Sequence, residues 1–104
     1  MVEAYLNGLA RKDLSNVPFA PDITFDGPRV PRLIGHQSVV GFLTSIMPLV
    51  KRIQIKQHLV DGDFAATMFE METVNGTDKV VDWIRVSCGQ LKAIHSFYYP
   101  QAAS

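Results

Sequence analysis

The chain has 104 residues, of which 47% are hydrophobic and 19% charged, with ten basic and ten acidic side chains giving a formal net charge of zero. Such a length gives one domain, 1–104, and such a composition supplies a core and argues against disorder; the balanced charge gives no support to nucleic-acid binding, which needs a basic patch. No apolar run approaches the ~20 residues that span a bilayer, no charged-then-apolar signal layout opens the chain, and the single cysteine, Cys88, forms neither an internal disulfide nor a thiolate cluster for a metal, so a protein with no membrane partner, located in the cytoplasm, is the expectation.

In chain order, residues 2–12 are predicted helical, because Val2, Tyr5, Leu6 and Leu9 recur on one stripe. Tyr5 should then face inward, and its hydroxyl will need a partner. A short second helical turn falls at 14–17, stopped by Pro18 and Pro21. Residues 22–26 form a short strand, broken by Gly27-Pro28, and the segment 29–34 with Pro31 reads as a loop. A second helix follows Gly35 to Ser38, with Val39, Phe42, Leu43, Ile46, Met47 and Val50 on one broad face; Pro48 makes its last turn doubtful.

From Lys51 the period becomes two. Ile53, Ile55 and Leu59 alternate with Arg52, Gln54, Lys56 and His58, so this strand should have one solvated face that includes His58. Residues 61–63 make a turn, 64–74 another strand, and Asn75-Gly76 is the strongest hairpin signal in the chain. Residues 79–100, KVVDWIRVSCGQLKAIHSFYYP, give two strands folded back at Cys88-Gly89-Gln90, rich in β-branched, aromatic and aliphatic residues. One charge interrupts the first of them. Asp82 shares a face with Val80, Ile84 and Val86, where a carboxylate is costly unless paired, neutralised or put to use. Helices first and a run of antiparallel strands afterwards define an α+β architecture, whose curved sheet leaves a cavity under the helices.

The strings AYLNGLARKD, FAPDITFDGP, LIGHQSVVGFL, VVDWIRV and GQLKAIHSFYY cover most of the chain and together resemble the nuclear-transport-factor-2-like superfamily, in its SnoaL-like and ketosteroid-isomerase-like branches. The resemblance implies a conical barrel (the NTF2-like or cystatin-like cone) of strongly curved antiparallel sheet wrapped around N-terminal helices, a deep apolar pocket, and a homodimer built through the outer sheet face. The fold hosts enzymes, ligand binders and adaptors alike. Isomerases of this kind hold an enolate oxygen with a first-helix tyrosine and a protonated aspartic acid, and use a second aspartate as base. By resemblance Tyr5 takes the place of the tyrosine and Asp82 that of the acid. The base position falls on Gly27; the nearest carboxylate, Asp26, is one residue away, which on a regular strand points to the opposite face unless a bulge intervenes.

Glu70 and Glu72 are reserve bases if the face they share with Met68 turns inward; the opposite choice, with Phe69 and Met71 inward, fits the pattern equally well. Strand parity suggests Phe19, Phe25, Phe42, Met47, Met68, Ile94 and Tyr98 as the pocket lining. Among the histidines, His36 reads as a surface or cap residue, and His95 as a histidine bonded to a neighbour. The three lack metal-ligand spacing, so neither a metal nor another cofactor is expected. Trp83, on the other face from Asp82, suits a dimer-facing sheet. Three functions fit: an acid–base isomerase, dehydratase or cyclase acting on a small apolar molecule with a carbonyl or hydroxyl, in which Tyr5 and Asp82 polarise the oxygen and Asp26 moves the proton; a binding module with the same pocket and no base; and an adaptor dimer with a filled core.

Overall fold

The stripe through Val2, Tyr5, Leu6 and Leu9 is the buried face of a ten-residue helix, α1 (Val2–Arg11). The computed structural model describes residues 2–27 and 30–100, with side chains described as far as residue 97. Helix α1 ends at Lys12, whose φ of 63° turns the chain back. Gly8 makes this return possible: a β-carbon there would stand 2.8 Å from the Asp13 carbonyl oxygen, and that loop is tied by the Asp13 amide donating to the Gly8 carbonyl at 2.9 Å. Residues 14–17 form no second helix; a single Val17-to-Leu14 backbone bond closes the turn.

Strand β1 (Phe19–Gly27) pairs with β2 (Val30–Ile34), so the stretch expected as a loop is a strand. Its Pro31 is tolerated because β2 lies at the sheet edge, where one row of amides needs no partner. Helix α2 (His36–Ile46) starts after Gly35, whose φ of 95° suits glycine, and passes through a 3-10 turn at Met47–Leu49 where Pro48 interrupts the α-helical bonding. Strands β3 (Val50–Asp61), β4 (Phe64–Thr73), β5 (Gly76–Ser87) and β6 (Gln90–Pro100) follow as hairpins. The last turn carries Cys88 and Gly89 at φ 53° and 73°, the left-handed pair that two-residue hairpins favour.

The six strands lie in the order β2-β1-β6-β5-β4-β3. The sheet is mixed: β1 runs parallel to β6, while the other neighbours are antiparallel. Helix α1 packs against β3 and α2 against β1, so both helices sit in the hollow of an α+β cone. Leu6, Ile23, Val39, Leu43, Ile84, Leu91 and Ile94 are buried where helices and sheet meet.

A bulge breaks β3 between Ile55 and Gln57. One extra residue reverses which face the following side chains occupy. His58, expected in solvent, is therefore turned inward and half-buried, with Nδ1 2.7 Å from Thr67 Oγ1. Leu59, expected inside, is 57% exposed. No described helix is long and apolar enough to cross a membrane.

Candidate functional site

Strand β5 alternates buried and open residues over Val80, Val81, Asp82, Trp83 and Ile84, and the buried set is Val80, Asp82 and Ile84. Asp82 is thus carried into the cone by the same parity that buries its apolar neighbours, and it is 1% exposed. Its cross-strand partners are Thr67 on β4 and Ser96 on β6, both buried, so a polar row crosses the concave face. The Ser96 hydroxyl donates to Asp82 Oδ1 at 2.5 Å. That single bond favours the charged form, but burial outweighs it and pushes the Asp82 carboxyl from 3.8 up to about 7. Oδ1 is occupied by the serine; Oδ2 is the oxygen left to carry an acid proton.

Tyr5 comes from the buried stripe of α1 and is 2% exposed. Its ring packs edge-on against Phe19, with centroids 6.2 Å apart. Burial, with the nearby Asp82 charge adding to it, raises its phenol well above the usual 10.0. It therefore stays protonated and able to donate, and among the described residues its hydroxyl makes no hydrogen bond. Tyr5 and Asp82 both line a cavity of about 390 Å³, within the size range of small-molecule sites. Phe25 and Phe42, tilted together at 5.2 Å, form one wall; Phe69, Met71 and Val80 form the sheet side.

Four expected residues therefore meet at one cavity: Tyr5, Asp82, Phe25 and Phe42. Others do not. Asp26 faces the outside of the cone. Its neighbours Phe25 and Gly27 line the cavity, and the pairing irregularity between Phe25 and Gly27 leaves Asp26 opposite His95 in the parallel ladder. Arg32 Nε donates to Asp26 Oδ1 at 3.0 Å, and His95 Nδ1 lies 3.2 Å from Oδ2, off the angle of a hydrogen bond. Met68 and Glu70 are likewise on the outer face, because β4 buries Ala65, Thr67 and Phe69; Met68 is 45% exposed, and Glu70 stands beside Arg52 and Gln54. Ile94 is fully buried but fills the core instead of lining the cavity, as do Phe19 and Met47. The side chain of Tyr98 lies outside the described residues.

Lining residues not expected from the sequence include Thr73, Asn75 and Asp78. Asp78 and Asn75 stand where the β4–β5 hairpin meets the cavity. The parity of Asp82, four residues on, gave the signal for Asp78: residues 78, 80 and 82 share a face. Among the described residues no cluster of three metal-ligating side chains occurs.

A mixed six-stranded sheet curled around two helices is the architecture of the nuclear-transport-factor-2-like α+β cones. The chain belongs to the SnoaL-like domain family, whose model matches residues 2–94. It is similar to the solved structure of a steroid delta-isomerase from Pseudomonas aeruginosa, with a TM-score of 0.81 and 21% identity over 97% of this chain and 78% of that one. It is also similar to an NTF2-like protein of unknown function from Cytophaga hutchinsonii (TM-score 0.82, 12% identity, 98% and 89% covered). A third is described as a putative ketosteroid isomerase from Kribbella flavida (TM-score 0.81, 17% identity, 94% and 74% covered). At these identities the likeness shows the fold alone. No curated protein sequence matches the chain.

Proposed function

We propose that the protein binds a small apolar molecule by a carbonyl or hydroxyl oxygen, held at the closed end of the cavity by the Tyr5 phenol and the Asp82 carboxylic acid. One observation carries this reading: a phenol and a carboxyl that burial favours in the neutral form face the same apolar cavity. Two neutral donors in a dry site are suited to a carbonyl oxygen, and they stabilise it further when it takes on negative charge.

Abstraction of a proton beside that oxygen needs a base within hydrogen-bond reach of the carbon's proton. Asp26 is turned away, and Asp78 lies four residues along β5, about 13 Å from Asp82 at about 3.3 Å per residue. Binding without isomerisation is therefore the function the geometry supports best. The second reading is an acid–base enzyme of isomerase, dehydratase or cyclase type. The phenol–acid pair favours it, and it needs a base that the described lining side chains do not supply next to Asp82.

The test is calorimetric titration with 4-hexylcyclohexanone, a probe with a carbonyl head and an apolar tail. Tyr5→Phe should weaken binding about tenfold, the worth of one hydrogen bond of about 1 to 1.5 kcal/mol. Affinity should also fall as pH rises through about 7, where Asp82 loses its proton, and Asp82→Asn should abolish that pH dependence. Binding indifferent to Tyr5→Phe and to pH would overturn the reading.

The outer face of the sheet carries Phe64 and Trp83, tilted together with ring centroids 5.4 Å apart, beside Met68 and Phe97, all exposed. A contiguous apolar surface of this kind suits coverage by another protein surface, and a homodimer through this face is part of the proposal. So is a cytoplasmic location, with which the free, exposed Cys88 thiol is compatible.

A further inference from the structure

The cavity has polar groups at both ends, and the proposed oxygen site occupies only one. At the closed end sit Tyr5 and Asp82, both fully buried. At the other end sit Asp78, half-buried, and Asn75, exposed. Between them the sheet side is apolar: Phe69, Met71 and Val80. Asp78 is held on the lining by the strand itself, paired with Met71 in an unbroken β4–β5 register. The hairpin beneath it is tied by Thr73, whose hydroxyl donates to the Gly76 carbonyl at 3.1 Å and accepts from the Asn75 amide at 3.1 Å. Among the described residues the Asp78 carboxylate has neither a hydrogen bond nor a salt bridge, and the lysine next to it, Lys79, is on the opposite face.

An acceptor fixed at the mouth of an apolar cavity selects what the outer end of a ligand carries. From these placements we infer that Asp78, with Asn75, forms a second polar subsite that recognises a hydrogen-bond donor at the far end of an elongated ligand. The ligand class is an apolar body of roughly 13 Å, set by four residues of strand, with a carbonyl or hydroxyl oxygen at one end and a donating hydroxyl at the other. Asp78 determines specificity here and takes no part in proton transfer. The inference rests on the proposed binding of the oxygen at Tyr5 and Asp82.

Two probes separate the subsite from that reading: 4-hexylcyclohexanone and its counterpart with a hydroxyl at the end of the hexyl chain. Each is titrated into wild-type protein, Asp78→Ala, Asp78→Asn and Tyr5→Phe. Asp78→Ala is expected to weaken the hydroxyl-ended probe about ten- to a hundredfold, the range for loss of a hydrogen bond to a carboxylate, and to leave the methyl-ended probe within about twofold. Asp78→Asn, which keeps an acceptor, should fall between. Tyr5→Phe should weaken both probes equally. If Asp78→Ala changes both probes alike, or neither, while Tyr5→Phe still weakens both, the subsite is wrong and the oxygen-binding end stands. If neither probe binds wild-type protein, or Tyr5→Phe affects neither, the two readings fall together. Asp78 lies at an open rim, so its replacement leaves the buried core intact, and circular dichroism of each variant checks this.

Discussion

Raising the pH from 4 to 8 should destabilise this protein through one side chain. A carboxyl moved from 3.8 in the unfolded chain to about 7 in the fold has its charged form disfavoured by about 4 kcal/mol, at about 1.4 kcal/mol per tenfold change in proton affinity. The folded pKa is raised, so the unfolded state gives up its proton first. Stability is therefore full below about pH 4, declines between about 4 and 7, and levels off above about 8. Against a typical total of about 5 to 15 kcal/mol, this is a large fraction. Asp13 and Asp22 shift the other way, lowered by Ser15 and by Lys92 respectively, so their effects fall below pH 4 and leave this window clear. Asp82→Asn keeps the shape and the Ser96 contact but cannot ionise. Urea unfolding of both proteins at half-unit pH steps should show them within about 1 kcal/mol at pH 4 and the variant ahead by up to about 4 kcal/mol at pH 8. Parallel curves would refute the claim that Asp82 titrates in a desolvated site.

Other outcomes can be checked separately. Gly27 lines the cavity at the position where the resemblance places a base, and a β-carbon there meets Phe25 and Val30 no closer than 3.4 Å. Gly27→Asp should therefore be tolerated and should give the protein activity in moving a double bond of a β,γ-unsaturated cyclic ketone into conjugation, read as growth of enone absorbance; rates equal to wild type would count against the phenol–acid pair as an enolate site. Gly8→Ala should destabilise by about 1 to 3 kcal/mol in thermal or urea unfolding, because the Asp13 carbonyl blocks the new methyl group. Trp83→Glu should convert a dimer to a monomer in analytical ultracentrifugation, with the far-ultraviolet circular dichroism unchanged; a wild-type protein already monomeric at high concentration would contradict the proposed interface.

The parts of the fold legible in the sequence were those where period and turn chemistry agree. The α1 stripe, the Asn75-Gly76 and Cys88-Gly89 hairpins and the alternation through Asp82 all gave strong local signals, and Tyr5 and Asp82 followed from them. What could not be read depended on pairing between distant segments. Pro31 looks like a strand breaker until its strand is known to be an edge. The β3 bulge leaves no mark in composition, yet it exchanges the faces of His58 and Leu59. β4 can bury either Met68 and Glu70 or Phe69 and Met71, and only the apolar hollow under α1 and α2 decides between them. Parity already turned Asp26 away from the face of Gly27; what no local pattern encodes is that the irregularity between Phe25 and Gly27 leaves it there, opposite His95 on β6.

The most direct test of the account follows the carbon-13 signal of the Asp82 carboxyl group as pH is varied, assigned by its loss in Asp82→Asn. A midpoint near 7, with the acid form dominant at pH 5, is the expected result. A midpoint near 4, that of a carboxyl in open water, would contradict it.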